Sequence, residues 1–321
     1  MRLEARLATQ RVLITGATGY VAGQMLPAFR ERFDLTLIDS RTEDGAGRRV
    51  EGVDTADLLD ADRHSYAGLF DGIDTVVHLA LMRRVHGGSV RGGVPSRPVL
   101  PGLLTDSPSG INDFFDEGSN IRMAYNVLRT CFDAGVRRVV FASSNRVGDW
   151  SEHALIHNRR LDMHTEETLP RSDTFYGWSK AACEHMGFLF ASGAFGRKMG
   201  VVNVRIGWPH ELDVAAFGDD VTNYKRALGS YFSAADVARL FLAAVETPDI
   251  DDENGVPWQV VYGTSDNARA FWSLANGRRV LGYEPEDDSE VKYAAGVESL
   301  IMNDGQGRAP GRVSASLDEA P

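Results

Sequence analysis

A doubly wound α/β fold, a parallel sheet with helices on both faces, is what this sequence predicts, on three observations. Short apolar runs alternate with amphipathic stretches through the first half of the chain. A glycine-rich turn, "TGATGYVAG", joins the first apolar run to the first amphipathic stretch. The length, 321 residues, suits one large α/β domain or a nucleotide-binding domain with a smaller companion.

The apolar runs "RVLIT", "LTLID", "TVVHLA" and "RVVFASS" read as strands, since they are short, apolar and β-branched. "YVAGQMLPAFRERF" and "GSNIRMAYNVLRTCFDAG" place apolar residues three and four apart and read as helices. Alternation of this kind implies right-handed βαβ units and hence a parallel sheet. "VVNVRIG" near residue 201 reads as a further strand; beyond it a helix "AADVARLFLAAVE" and a strand "WQVVYG" follow less regularly. The expected domains are a cofactor-binding unit over 1–207, a small irregular substrate-binding part over 208–303, and a flexible tail over 304–321. Residues 83–110 hold six glycines, four prolines and four arginines, a connection long enough to suggest function rather than linkage. Lying at the carboxyl edge of the fourth strand, this insertion is expected to cover the site or reach a neighbouring subunit, with glycine pairs at 87–88 and 92–93 as hinges.

A formal charge of -11 argues against a nucleic-acid partner, which needs a basic face. The first ten residues are charged and lack the apolar centre of a signal peptide, and no run approaches the ~20 apolar residues of a membrane span. A cytoplasmic protein with no membrane partner is expected. The two cysteines, Cys131 and Cys183, fall in helical stretches with no framework spacing, which predicts buried free thiols. The histidines show no ligand spacing, so no metal is expected.

The glycine turn carries the first functional signal. Gly16, Gly19 and Gly23 sit between a strand and a helix, with Ala22 where a third fingerprint glycine often falls. Glycine lets a backbone approach a pyrophosphate closely, and a helix start offers it free N–H groups. Gly16, Thr18, Gly19, Tyr20 and Val21 are therefore candidate cofactor contacts. Asp39 ends the second strand twenty residues after Gly19, where a carboxylate binds the adenosine ribose hydroxyls. The same carboxylate also suits a cap on the following turn. A 2′-phosphate would be repelled there, so NAD is favoured over NADP, with Arg41 nearby as the opposing feature.

The Gly-x-x-Gly spacing of "TGATGYVA" resembles the cofactor loop of the extended short-chain dehydrogenases/reductases, a Rossmann-fold superfamily. "ADLLD" resembles the segment whose Asp and Leu, here Asp57 and Leu58, cradle adenine. "VVHLA" resembles the family's fourth strand, which adds Leu79 and Ala80 as expected cofactor neighbours. Asn120 sits where the family places a structural asparagine.

Tyr176 and Lys180 in "YGWSK" are four apart and so share a helix face. Oxidising an alcohol requires a base for the hydroxyl proton while hydride leaves for the nicotinamide. A phenol with pKa near ~10 is a poor base at neutral pH. An ammonium one turn away stabilises the phenolate and corrects this. Ser144, ending the fifth strand, can position the substrate hydroxyl. Ser144, Tyr176 and Lys180 are the catalytic candidates, with Tyr176 and Lys180 also expected to meet the cofactor.

"RVVFASSN", "TFYGWSK", "NVRIG", "YFSAADVARL" and "VVYGTSDNA" are together similar to uronate dehydrogenases, over roughly residues 11 to 290. Those enzymes oxidise the anomeric carbon of a hexuronate to the lactone with NAD. The resemblance implies that Ser144 and Asn145 hold substrate and that Arg226 grips its acid group. The sequence departs from the pattern at three places: Arg146 replaces a histidine, Arg83 a serine and Trp208 a serine. Alternatively Arg83 is a solvated loop charge, Trp208 packs beside Pro209, and Arg226 pairs with Asp219 or Asp220. The added arginines suggest an acid group with more oxygens than a carboxylate. The expected substrate is thus a C6-anionic hexose, either a sulfonated hexose such as sulfoquinovose or a hexuronate. A homo-oligomer, dimer or higher, is expected. The other readings are a nucleotide-sugar epimerase or dehydratase that retains its NAD, and a non-catalytic dinucleotide sensor.

Overall fold

A computed structural model of the chain describes residues 9–82, 114–218 and 220–302, with the two-residue strands 90–91 and 94–95. Seven strands form one wholly parallel sheet: β1 (Arg11–Thr15), β2 (Asp34–Asp39), β3 (Val53–Thr55), β4 (Thr75–His78), β5 (Arg138–Ser144), β6 (Gly200–Ile206) and β7 (Trp258–Gly263). Their order is β3-β2-β1-β4-β5-β6-β7, so the direction of winding reverses between β1 and β4. A crevice at that reversal, outside the strands' carboxyl ends, is where such sheets take ligands.

Period-two alternation sends successive side chains to opposite faces and builds two cores. Val12, Ile14, Val77, Val140, Val202 and Val204 pack against helices α1 (Tyr20–Arg32) and α5 (Ala234–Glu246), through Met25, Phe29, Leu240 and Phe241. Leu13, Val76 and Val139 face the other way, toward Val127, Leu128 and Cys131 of α2 (Phe114–Asp133) and Phe190 of α3 (Phe175–Ala191). Full burial of a side chain such as Phe29, which has no exposed surface, stabilises by roughly 1.5–3 kcal/mol. The six strand runs read from the sequence are β1, β2, β4, β5, β6 and β7; the short β3 joins them at the sheet edge.

The sheet runs on past residue 207, where the sequence suggested that the cofactor-binding unit ends. β7 pairs with β6 along its length, and α5 lies in the same layer as α1. Residues after 207 outside these two elements include α4 (Val221–Ser230), whose Tyr224 and Leu228 pack with Val297 and Leu300 in a small separate core. Of the 83–110 insertion, only a hairpin of Val90–Arg91 with Val94–Pro95 lies within the described residues. Its hinges, the tail over 304–321 and Arg83 fall outside them. Both cysteines are free and buried. Among the described residues no helix is long and apolar enough to cross a membrane.

Candidate functional site

Gly16 turns the chain out of β1 with φ +72°, a left-handed conformation that suits glycine. A side chain there would collide with the chain just after β4, its Cβ falling 2.6 Å from the Ala80 nitrogen. Gly16 is thus required by strand packing, and it brings Leu79 and Ala80 beside the loop. Gly19 is the N-cap of α1, which has no side-chain cap and no acidic residue in its first turn. By contrast Thr174, Asp220 and Ser233 cap α3, α4 and α5 through their side chains. The N–H groups of Tyr20 and Val21 therefore begin a helix whose positive end no side chain answers. Gly23 has open space where a Cβ would stand, so packing does not explain it.

Asp39 ends β2 facing this loop. Its Oδ2 accepts hydrogen bonds from the Thr18 N–H (3.0 Å) and the Thr18 hydroxyl (2.7 Å), and its Oδ1 accepts from the Ser40 N–H (2.7 Å). The carboxylate both braces the glycine loop and caps the next turn, and it keeps acceptor capacity for ribose hydroxyls. Arg41 Nε donates to the Thr18 hydroxyl at 3.3 Å. Asp57 is exposed beside buried Leu58, and the Leu58 carbonyl accepts from Asn126 Nδ2 at 2.9 Å. Asn120 pins the chain after β4: its Oδ1 accepts from the Met82 N–H (2.8 Å), and its Nδ2 donates to the Met82 carbonyl (3.3 Å). An uncapped helix start, a bare glycine turn and a carboxylate at the end of β2 fit the pyrophosphate and ribose of a dinucleotide.

Ser144, buried at the end of β5, accepts the Arg146 N–H through its Oγ at 3.2 Å. Across from it, α3 carries Tyr176, half-buried, and Lys180, buried. Lys180 Nζ donates to the Ala142 carbonyl of β5 (2.8 Å) and lies 5.8 Å from the centre of the Tyr176 ring. Gly177 makes this approach possible, because a Cβ there would overlap the Arg146 carbonyl oxygen. Beneath them Glu117 is fully buried, accepting from Ser179 Oγ (2.5 Å) and Asn120 Nδ2 (3.3 Å). Burial pushes its carboxyl up, against those two bonds and the Lys180 charge. His78 is no base: burial, then the Lys180 charge, push its imidazole down to about 3.

The segment after Ser144 holds what the sequence reading missed. Arg146 Nη1 pairs with Asp149 Oδ2 at 3.3 Å, and Asp149 has no exposed side-chain surface. Burial raises the Asp149 carboxyl to about 6 despite Arg146. Of the two partners the sequence offered to Arg226, on α4, the described one, Asp220, is not met. Asp219 lies outside the described residues, and Asp220 caps α4 by accepting the Asn223 N–H. Arg226 instead forks onto Glu152, Nε to Oε1 (2.5 Å) and Nη2 to Oε2 (3.0 Å), with Trp272 beneath it at 5.8 Å. The Glu152 Oε1 also meets His157 Nε2 at 3.1 Å. Asp149, Glu152 and His153 bring three ligand-type atoms within 4.8 Å of one another, but the two guanidiniums already engage both carboxylates. "DWSEHALIH", directly after "SSNRVG", was the available signal: four ionisable side chains in one turn-rich segment.

Arg146 is thus at the strand end, as expected, but carries its own counter-ion. Asn145 is buried beside it. Trp208 remains 43% exposed, and its ring packs against His210 (5.0 Å), which stacks on Tyr20 (4.2 Å). Its backbone bridges to Tyr231, just beyond α4, so its loop joins the glycine loop to the Arg226 helix.

Residues 12–91 and 103–205 match the NAD dependent epimerase/dehydratase family, and the break falls inside the 83–110 insertion. The chain is 31% identical to an NAD-dependent glucose-6-phosphate dehydrogenase of Haloferax volcanii, over 87% of this chain and 94% of that protein. It is 29% identical to a uronate dehydrogenase of Pseudomonas syringae pv. tomato, over 91% of this chain and 87% of that protein. The crystal structure of the Agrobacterium tumefaciens uronate dehydrogenase has the same fold, with TM-score 0.63 and 24% identity over 91% of this chain and 90% of that one. The chain belongs to the NAD dependent epimerase/dehydratase family and is an NAD-dependent oxidoreductase of the short-chain type.

Proposed function

We propose that this enzyme oxidises the anomeric carbon of a C6-anionic hexose to the corresponding lactone. NAD supplies the hydride acceptor. Tyr176, as the phenolate that Lys180 stabilises, takes the anomeric hydroxyl proton and becomes the neutral phenol, and Ser144 with Asn145 orients the sugar. The observation that carries the reading is the fixed Lys180 ammonium, 5.8 Å from the Tyr176 ring and tethered to the Ala142 carbonyl. A fixed positive charge this close to the ring is placed to stabilise negative charge on the Tyr176 oxygen during proton transfer.

Two relatives whose names specify uronate and glucose 6-phosphate both act on hexoses with an anion at carbon six, which supports an acid group on this substrate. Arg226 is the residue we assign to it. The arginine count alone no longer favours a three-oxygen acid, since Arg146 and Arg226 each have an internal carboxylate. Hexuronates and sulfonated hexoses therefore both stand as candidates. NADH formation across glucuronate, galacturonate, sulfoquinovose, glucose 6-phosphate and glucose tests the proposal. An anionic hexose is expected to lead; a neutral hexose ahead of every anionic one refutes it.

A further inference from the structure

Arg226 is not a bare cation. One edge of its guanidinium, through Nε and Nη2, is taken by Glu152, which is 1% exposed and also bonded to His157. Burial opposes a charge on Glu152, yet Arg226 holds its carboxyl far below the ordinary range. Among the described residues Arg226 Nη1 makes no hydrogen bond, so this is the nitrogen left to a ligand. Arg146 is matched in the same way by Asp149. Ser144 Oγ accepts the Arg146 N–H, the Arg146 carbonyl lies against Gly177, and ligand atoms of Asp149, Glu152 and His153 stand within 4.8 Å of one another. Among the described residues, each of these two guanidiniums is thus answered by one carboxyl group.

We infer that Glu152 sets the charge specificity of the sugar site, admitting a C6 group with one negative charge and disfavouring a dianion. The inference rests on the reading that Arg226 meets the C6 group. A carboxylate or sulfonate carries one charge and needs one charge-assisted hydrogen bond, which Nη1 supplies. A phosphomonoester carries about −1.5 to −2 at pH 7, and its second charge faces Glu152 across the shared guanidinium. Like charges in a desolvated site repel far more than in water. Glu152 thus trades affinity for discrimination, a repulsive element built beside an attractive one.

The test compares kcat/KM, at saturating NAD, for glucuronate, sulfoquinovose, glucose 6-phosphate, glucose 6-(methyl phosphate) and glucose. The wild type is expected to favour the monoanions, including the methyl phosphodiester, over glucose 6-phosphate by about tenfold or more. Glu152→Gln, isosteric and uncharged, is expected to raise the ratio of glucose 6-phosphate to glucuronate about tenfold, while Glu152→Asp keeps the wild-type order. A wild type that prefers glucose 6-phosphate to both the phosphodiester and the carboxylate overturns the inference alone. So does a Glu152→Gln ratio within about twofold of wild type. Glucose equal to every anionic sugar removes the C6-anion reading and this inference together. If Glu152→Gln does not fold, the two phosphate esters on the wild type still decide.

Discussion

The carbonyl oxygen of Arg146 occupies the space that a Cβ on Gly177 would need. This contact sets how closely α3 approaches the end of β5, and so how Tyr176 stands relative to Ser144. Gly177→Ala is expected to lower stability by about 1–3 kcal/mol through overpacking. Turnover should fall with it, while NAD binding through the distant glycine loop persists. Gly23→Ala is the counter-case: open space and a helical position predict unchanged or slightly raised thermal stability. Thermal melts and NADH assays on both variants check this.

Tyr176→Phe is expected to lower kcat by roughly a thousandfold or more while NAD affinity stays near wild type, because only the proton acceptor is lost. Lys180→Ala should reduce turnover and also weaken NAD, since its ammonium is also expected to reach the nicotinamide ribose. Calorimetric NAD titrations alongside turnover separate the two effects. A Tyr176→Phe enzyme within about tenfold of wild type would contradict the assignment.

Asp39→Ala is expected to weaken NAD binding and narrow its advantage over NADP. The variant loses the ribose acceptor and also the brace on Thr18, so some loss of thermal stability should accompany it. Binding curves for both cofactors measure the first effect. A wild type that already prefers NADP would make Arg41 the deciding residue.

Most of the fold was legible because it is written locally. The β-branched runs of β1, β4, β5 and β6 and the spacing of α1 and α5 carry their own periodicity. Asp39, Tyr176 and Lys180 could be singled out as candidates because each lies at a fixed offset from a strand end or within one helix turn, and Asn120 because the resemblance places an asparagine there. The ion pairs were not. Glu152 and Arg226 are 74 residues apart, and no periodicity joins them. Counting arginines without their partners made the site look more cationic than it is. The role of Gly177 was hidden for the same reason, since its constraint is a backbone 31 residues upstream.

Asp149 gives a pH signature. Its carboxyl is raised to about 6 by burial, above the ordinary 3.8, so the folded state holds the proton more tightly than the unfolded chain. That contribution to stability is full below about pH 4 and is lost as pH rises through about 6. Asp149→Asn keeps the uncharged form at every pH. Its melting temperature relative to wild type is therefore expected to rise between pH 5 and pH 7.5, by a few degrees at most. A constant difference across that range would contradict the assigned shift.

The central claim, net oxidation at the anomeric carbon through Tyr176, is tested most directly by NMR on hexuronate labelled at that carbon, incubated with NAD. The account predicts conversion of the anomeric signal to a lactone carbonyl, one NADH per sugar consumed, and no conversion by Tyr176→Phe. The opposite result, a labelled sugar epimerised or unchanged with no NADH released while other anionic hexoses also fail, would contradict it.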